Sequence, residues 1–82
     1  MKQIELIGEV KEAIAEKNGY KTFTVSVPYT GTLICQTETG LVNADQIEVG
    51  KKLFMKCTLK GVVNNGYSHN YVIVQELVTI DE

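Results

Sequence analysis

The chain has 82 residues, which is enough for one small domain with a modest core. Its apolar content of 44% predicts a folded domain and excludes a disordered chain. The longest apolar runs are too short to span a bilayer, and no apolar signal segment follows Met1. We therefore expect a single domain over residues 1–82, cytoplasmic and with no membrane partner.

The net charge of −2 hides an uneven distribution of charge along the chain. The segment from Val49 to Gln75 contains four of the eight lysines and no carboxylate, so its formal charge is about +4. The remainder carries about −6, with all ten acidic residues. The basic segment indicates a surface for an anionic ligand, and a solvated lysine face is an alternative of equal weight.

The first predicted element is a long strand over residues 3–15. Alternation from Ile4 to Val10 predicts a strand, and Gly8 can host a bulge that bends it. The stretch from Glu9 to Lys17 also has the composition of a helix, but the Asn18-Gly19 turn signal fits a hairpin that joins it to the next strand. We therefore favour a strand there.

Two more strands are predicted over residues 20–28 and 32–38. In the earlier one the inward face is formed by Phe23, Val25 and Val27, and the alternate residues, Thr24 among them, face outward. In the later one Leu33 and Cys35 face inward. A short helical or 3-10 turn is then predicted between Asn43 and Gly50.

The fourth predicted strand, over residues 51–62, has two chemically different faces. Its apolar side is predicted to be core and consists of Leu53, Met55, Cys57 and Leu59. Its other side places an aromatic ring among lysines, in the series Lys52, Phe54, Lys56, Thr58 and Lys60. The Asn65-Gly66 turn signal then leads to a last strand over residues 70–80.

The reactive side chains do not assemble a catalytic or metal site in this sequence. Cys35 and Cys57 lie singly in core faces and are predicted to be buried, reduced thiols. His69 is the only histidine, so it cannot complete a zinc site with the two cysteines alone. We predict no enzyme, no metal and no cofactor.

A five-stranded sheet of this size has exposed edges unless it closes, so the two hairpins point to a small OB-fold barrel. The segments IELIGEV, NGYKTFTVSV and VGKKLFMKCTLKGVVNNGYSHNYVIVQEL resemble the OB-fold nucleic-acid-binding superfamily, particularly its single-stranded-DNA-binding members. The resemblance rests on Gly8, the stripe of Phe23, Val25 and Val27, Gly50 and Gly61. The expected fold class is all-β, a five-stranded OB-fold barrel with a short helical turn between strands three and four.

Ligands of OB-folds lie over strands two and three, between the loops that join strands one to two and four to five. In this chain those loops fall at residues 17–19 and 64–70, and the second one offers rings for base stacking and asparagine amides for hydrogen bonds. The absence of arginine predicts low sequence specificity. The predicted nucleic-acid-binding residues are Lys17, Tyr20, Lys52, Phe54, Lys56, Lys60, Asn64, Asn65, Tyr67, His69 and Tyr71.

Two alternatives stay open at the level of sequence. The acidic pI of about 5.3 and the lack of arginine favour a protein-interaction module that never meets nucleic acid. Phe54 could instead be buried between the subunits of a homo-oligomer. The expected partner is single-stranded nucleic acid, with a protein or a second copy as the alternatives.

Overall fold

The computed structural model of the chain describes residues 3–80, apart from the side chains of Ile14 and Asn64. Five strands and one 3-10 turn follow in the predicted order. They are β1 (Ile4–Lys17), β2 (Tyr20–Val27), β3 (Gly31–Glu38), the 3-10 turn (Ala44–Gln46), β4 (Lys52–Asn64) and β5 (Tyr67–Thr79). The all-β class and the turn between strands three and four are confirmed. None of the helices formed by residues 3–80 has the length and apolar content needed to cross a lipid bilayer.

The strands close into a barrel in the order β1-β2-β3-β5-β4. All neighbouring strands are antiparallel except β3 and β5, which are parallel and share only the pairs Cys35 with Val72 and Gln36 with Ile73. The predicted hairpin turns are confirmed, because Asn18 and Asn65 have φ angles of 54° and 53° and each precedes a glycine with positive φ.

Strand β1 is shared between two parts of the barrel. Its first half pairs with β4 from Ile4 to Glu9, and its second half pairs with β2 from Glu9 to Lys17, so the helical alternative for the latter stretch is wrong. Register shifts occur between Val10 and Glu12 and between Ala13 and Ala15, so the bulge expected at Gly8 is also misplaced. A β-carbon at Gly8 would lie 3.0 Å from the Ser26 carbonyl oxygen, which shows that this glycine permits close strand crossing.

The barrel interior matches most of the predicted core. The inward faces of β2 and β4 are buried through Phe23, Val25, Val27, Leu53, Met55 and Cys57, and Leu33 packs against them partly buried. Cys35 and Cys57 are free and buried, as predicted. Burial raises the pKa of the Cys35 thiol from 9.0 to about 12, with a further contribution from the Cys57 thiol, and burial raises the pKa of Cys57 to about 11.

Two orientation predictions are wrong. Leu59 is 55% exposed, because it lies beyond Cys57, where the pairing of β4 with the described part of β1 ends, and within residues 3–80 no third strand pairs with the hairpin beyond Val72. Thr24, expected to face solvent, is buried between its cross-strand neighbours Glu12 and Ile34. Its hydroxyl has no hydrogen-bond partner among the described residues.

Side-chain hydrogen bonds to the backbone reinforce the seam where β5 meets the rest of the fold. The buried Thr37 hydroxyl donates to the Val74 carbonyl at 3.1 Å, which adds a link to the short β3–β5 ladder. The Asn43 amide donates to the Leu77 carbonyl at 3.0 Å from a left-handed backbone conformation just before the 3-10 turn. The first bond therefore ties β3 to the last strand, and the second ties the connector to it.

Candidate nucleic-acid interface

A hollow of about 580 Å³ lies on the outer surface of the barrel, where the β1–β2 turn approaches β3, β4 and β5. We refer to it as the cleft. Its lining combines two lysines, one tyrosine, three uncharged polar side chains and two apolar ones. They are Ala15, Lys17, Asn18, Tyr20, Thr22, Gln36, Lys60 and Ile73.

The register of the strands explains how these residues meet. Thr22 of β2 lies opposite Ala15 of β1 and opposite Gln36 of β3, and Gln36 lies opposite Ile73 of β5. Directly paired residues project from the same face of a sheet, so these four side chains form a continuous row across four strands. This row is the floor of the cleft. Tyr20 lies two residues before Thr22 on β2, so its side chain is on the same face.

The charge of the cleft is contributed by Lys17 at the end of β1 and by Lys60 from β4. Neither lysine forms an ion pair with a carboxylate among the described residues. Glu38 lies opposite Tyr20 in the β2–β3 ladder, two residues beyond Gln36. Two cationic ammonium groups beside an aromatic ring suit a polyanion whose bases can stack.

The cleft continues onto a hairpin arm, which we define as residues 59–72 of β4 and β5. In this arm Lys60 pairs with Tyr71, Val62 pairs with His69, and Asn64 pairs with Tyr67. Residues two apart on a strand share a face, so Tyr67, His69 and Tyr71 lie on the same side of the arm as Lys60. Because Lys60 also lines the cleft, the rings extend its surface. Tyr67 is 72% exposed.

The predicted asparagines of this loop have different positions. Asn65 occupies the turn itself in a left-handed conformation, so its backbone closes the hairpin. The side chain of Asn64 lies outside the described part of the structure. Asn18, which was not among the predicted site residues, lines the cleft from the other turn.

The structure does not bring the rest of the lysine face of β4 into the cleft. Lys52 lines a separate hollow of about 480 Å³ together with Ile7, Pro28 and Ile80. Lys56 forms an ion pair with Glu76, with 3.7 Å between Nζ and Oε2. A long strand that coils around a barrel turns its outer face from one surface to another, so residues at its two ends face different directions.

Phe54 belongs to this second surface. It lies between Ile7 of β1 and Val78 of β5 in a cross-strand series that we call the apolar row. Ile7 and Val78 are 51% and 49% exposed, and Phe54 is half-buried. The ring therefore lies among apolar neighbours, away from the residues that line the cleft.

Five lining residues are absent from the predicted set, namely Ala15, Asn18, Thr22, Gln36 and Ile73. The outward position of Gln36 follows from the alternation of β3, in which Cys35 and Thr37 are buried. Alternation alone could not bring Gln36 next to Ile73, because that contact depends on the parallel pairing of β3 with β5.

No protein-family model matches the sequence, and no curated protein matches it significantly. Solved structures do match along nearly the whole chain. The N-terminal domain of PriB from Thermoanaerobacter tencongensis, described as dimeric, superposes with a TM-score of 0.76 at 19% identity, over 98% of this chain and 97% of that chain. This chain has the OB fold.

Two further structures with the same fold differ in what they bind. The OBody NL8, solved bound to hen egg-white lysozyme, superposes with a TM-score of 0.75 at 11% identity, over 99% of this chain and 97% of that one. Rim1, a mitochondrial single-stranded DNA binding protein from S. cerevisiae, has a TM-score of 0.68 at 7% identity, over 96% and 94%. At these identities the likeness concerns the fold.

Proposed function

We propose that this protein binds single-stranded nucleic acid, DNA in preference to RNA, without catalysis and with low overall sequence specificity. The observation that carries the proposal is the cleft. It joins Lys17 and Tyr20 at one end of the barrel face to Lys60 and the aromatic side of the hairpin arm at the other. That is the surface between the two loops on which OB-folds hold their ligands.

The two kinds of side chain contribute differently to binding. Lys17 and Lys60 would neutralise phosphates, and at about −0.7 per contact their combined contribution to the salt slope is about −1.4. Tyr20, Tyr67 or His69 would stack on bases, at about 1–3 kcal/mol for each stacked base. So few contacts predict a dissociation constant in the micromolar range for one domain.

The comparisons are consistent with this proposal, since Rim1 is a single-stranded DNA binding protein with the same barrel. The deciding experiment is a titration of fluorescently labelled oligo-dT and oligo-rU at about 50 and 200 mM salt, with amide chemical shifts recorded in parallel. We expect saturable binding, tighter for oligo-dT, with shifts concentrated at Tyr20, Gln36 and Tyr67. No binding at about 50 mM salt and high micromolar protein would reject the proposal.

The second candidate function is protein interaction through the apolar row of Ile7, Phe54 and Val78. It is favoured by the exposure of Ile7 and Val78 and by the adjoining hollow that Lys52 lines. The dimeric PriB domain and the OBody bound to lysozyme show that the same fold also contacts proteins. A second copy of the chain is the first partner to test, by measuring the mass in solution from about 10 to 500 μM.

A further inference from the structure

Thr22 and Gln36 are two polar side chains on the floor of the cleft whose hydrogen-bonding groups are not used by the protein. They lie directly opposite each other in the β2–β3 ladder, and both are half-buried. Neither makes a side-chain hydrogen bond with another described residue. By contrast, the hydroxyl of Thr37, the buried residue next to Gln36 in β3, donates to the Val74 carbonyl. A half-buried amide without a protein partner is available to a ligand.

The surroundings of this pair define what could bind there. Ala15 and Ile73 flank it at the two ends of the floor, so the polar groups are bordered by apolar surface on both sides. Tyr20 stands beside Thr22, and Lys60 lines the same hollow. A flat ring with a polar edge and an apolar substituent fits this arrangement, and among the components of nucleic acids that description applies to a base.

We propose that Gln36 and Thr22 hold the edge of one pyrimidine base in the bound strand and that Lys60 beside them favours thymine over cytosine at that position; this inference rests on the proposed function. The Gln36 amide offers a donor and an acceptor, which can pair with the N3–H and a carbonyl oxygen of thymine or, after rotation, with N3 and the amino group of cytosine, so it holds the edge of either pyrimidine. The Lys60 ammonium has three donors and no acceptor, so beside a phosphate contact it can also donate to the 4-oxo group of thymine, which it favours over the 4-amino group of cytosine. The apolar ends of the floor accommodate the thymine methyl group.

The test compares short oligo-dT, oligo-dC and oligo-dU by fluorescence anisotropy at one salt concentration. Uracil and cytosine differ only in the edge that the protein reads, so the comparison of oligo-dU with oligo-dC isolates that edge, and oligo-dT adds the methyl group. We expect oligo-dT to bind about threefold to tenfold more tightly than oligo-dC, with oligo-dU between them. Lys60→Ala should narrow the difference between the affinities for oligo-dT and oligo-dC, whereas Thr22→Val and Gln36→Ala should weaken the binding of both.

Gln36→Glu gives the sharpest outcome, because a carboxylate accepts hydrogen bonds from the amino group of cytosine and cannot donate to a thymine carbonyl. The affinity for oligo-dT divided by the affinity for oligo-dC should fall by about threefold to tenfold. Gln46→Glu is the matched control, since it adds the same charge in the 3-10 turn, where Gln46 lines a different hollow. That control should leave the ratio unchanged.

Several results would overturn the inference. Equal binding of oligo-dT and oligo-dC by the native protein would exclude base reading, and so would a Gln36→Glu variant that weakens both ligands by the same factor. In either case the proposed function would stand, because binding itself persists. Loss of all oligonucleotide binding in the native protein would remove the proposed function and this inference together. Thermal melts serve as the control that each variant is folded.

Discussion

Leu59 and Val72 lie directly opposite each other in the β4–β5 ladder, yet Leu59 is 55% exposed and Val72 only 6%. Val72 is covered because it also pairs with Cys35 of β3, whereas Leu59 lies on the outer strand of the pair, where the hairpin leaves the barrel. The closed barrel therefore ends at this pair. The residues beyond it form the hairpin arm on which the aromatic side chains are presented.

The position of Leu59 gives the first prediction, which concerns stability. Leu59→Ala should lower the free energy of unfolding by less than about 1 kcal/mol, since little buried surface is lost. Leu53→Ala, which empties a fully buried position in the same strand, should cost about 2–5 kcal/mol. Urea denaturation measures both. A large loss for Leu59→Ala would mean that the arm folds back over this side chain in solution.

Gly8 is predicted to be intolerant of a side chain. The added β-carbon of Gly8→Ala would meet a backbone oxygen at 3.0 Å and the Val25 Cβ at 3.2 Å, so strands β1 and β2 must separate. We expect a loss of about 1–3 kcal/mol in the free energy of unfolding. Gly40→Ala is the control, because no atom lies within 4 Å of its added β-carbon and its φ angle is not positive. If the two variants melt at the same temperature, the close crossing is absent.

The two buried thiols predict a loss of stability at alkaline pH. Their pKa values are about 12 for Cys35 and about 11 for Cys57 in the folded state, against 9.0 for an ordinary thiol. Above pH 9 the unfolded chain loses these protons while the folded chain keeps them. The stabilisation is therefore complete below pH 9 and declines as the pH rises toward 11 and 12, by up to about 1.4 kcal/mol per pH unit for each thiol.

Denaturation of the native protein and of a Cys35→Ala, Cys57→Ala variant between pH 8 and pH 11 checks this prediction. The variant starts from a lower stability but should lose less of it over that interval, because it lacks the two buried thiols. Parallel pH profiles for the two proteins would show that the thiols ionise as easily in the barrel as in the unfolded chain.

The lysines of β4 should differ in their contribution to nucleic-acid binding according to their position. Lys60→Ala should flatten the salt dependence of oligo-dT binding by about 0.7, because this side chain lines the cleft. Lys56→Ala should leave the slope unchanged, since Lys56 pairs with Glu76 beside the apolar row. Affinities at four salt concentrations suffice. An equal effect of the two substitutions would mean that the bound nucleic-acid strand runs along the whole lysine face of β4.

Tyr67 should contribute a stacking interaction that salt hardly changes. Tyr67→Ala is expected to weaken oligo-dT binding by about 1–3 kcal/mol at every salt concentration, because contact between a base and a ring releases no counterions. Tyr29→Ala is the matched control, since Tyr29 is fully exposed in the β2–β3 turn and does not line the cleft. If neither substitution changes the affinity for oligo-dT, the hairpin arm does not contact the bound nucleic acid.

The sequence by itself determined the strands, the two Asn-Gly turns and the inward faces of β2 and β4. Alternation has a period of two and acts between near neighbours, and the left-handed angles at Asn18 and Asn65 are local properties of those residues. The same local signals predicted that Tyr20 and Lys60 face outward and that Tyr67 lies in the loop between the last two strands. They could not show which outward residues share a surface.

Tertiary structure alone decided that question. Alternation places Lys52 and Lys60 on the same face of β4. The coiling of β4 around the barrel nevertheless carries them to separate hollows. Gln36 meets Ile73 because β3 and β5 pair in parallel to close the barrel, although 37 positions separate them in the chain. Leu59 is exposed because the barrel closes before the hairpin ends. Closure is a relation between distant strands, so no pattern within one strand contains it.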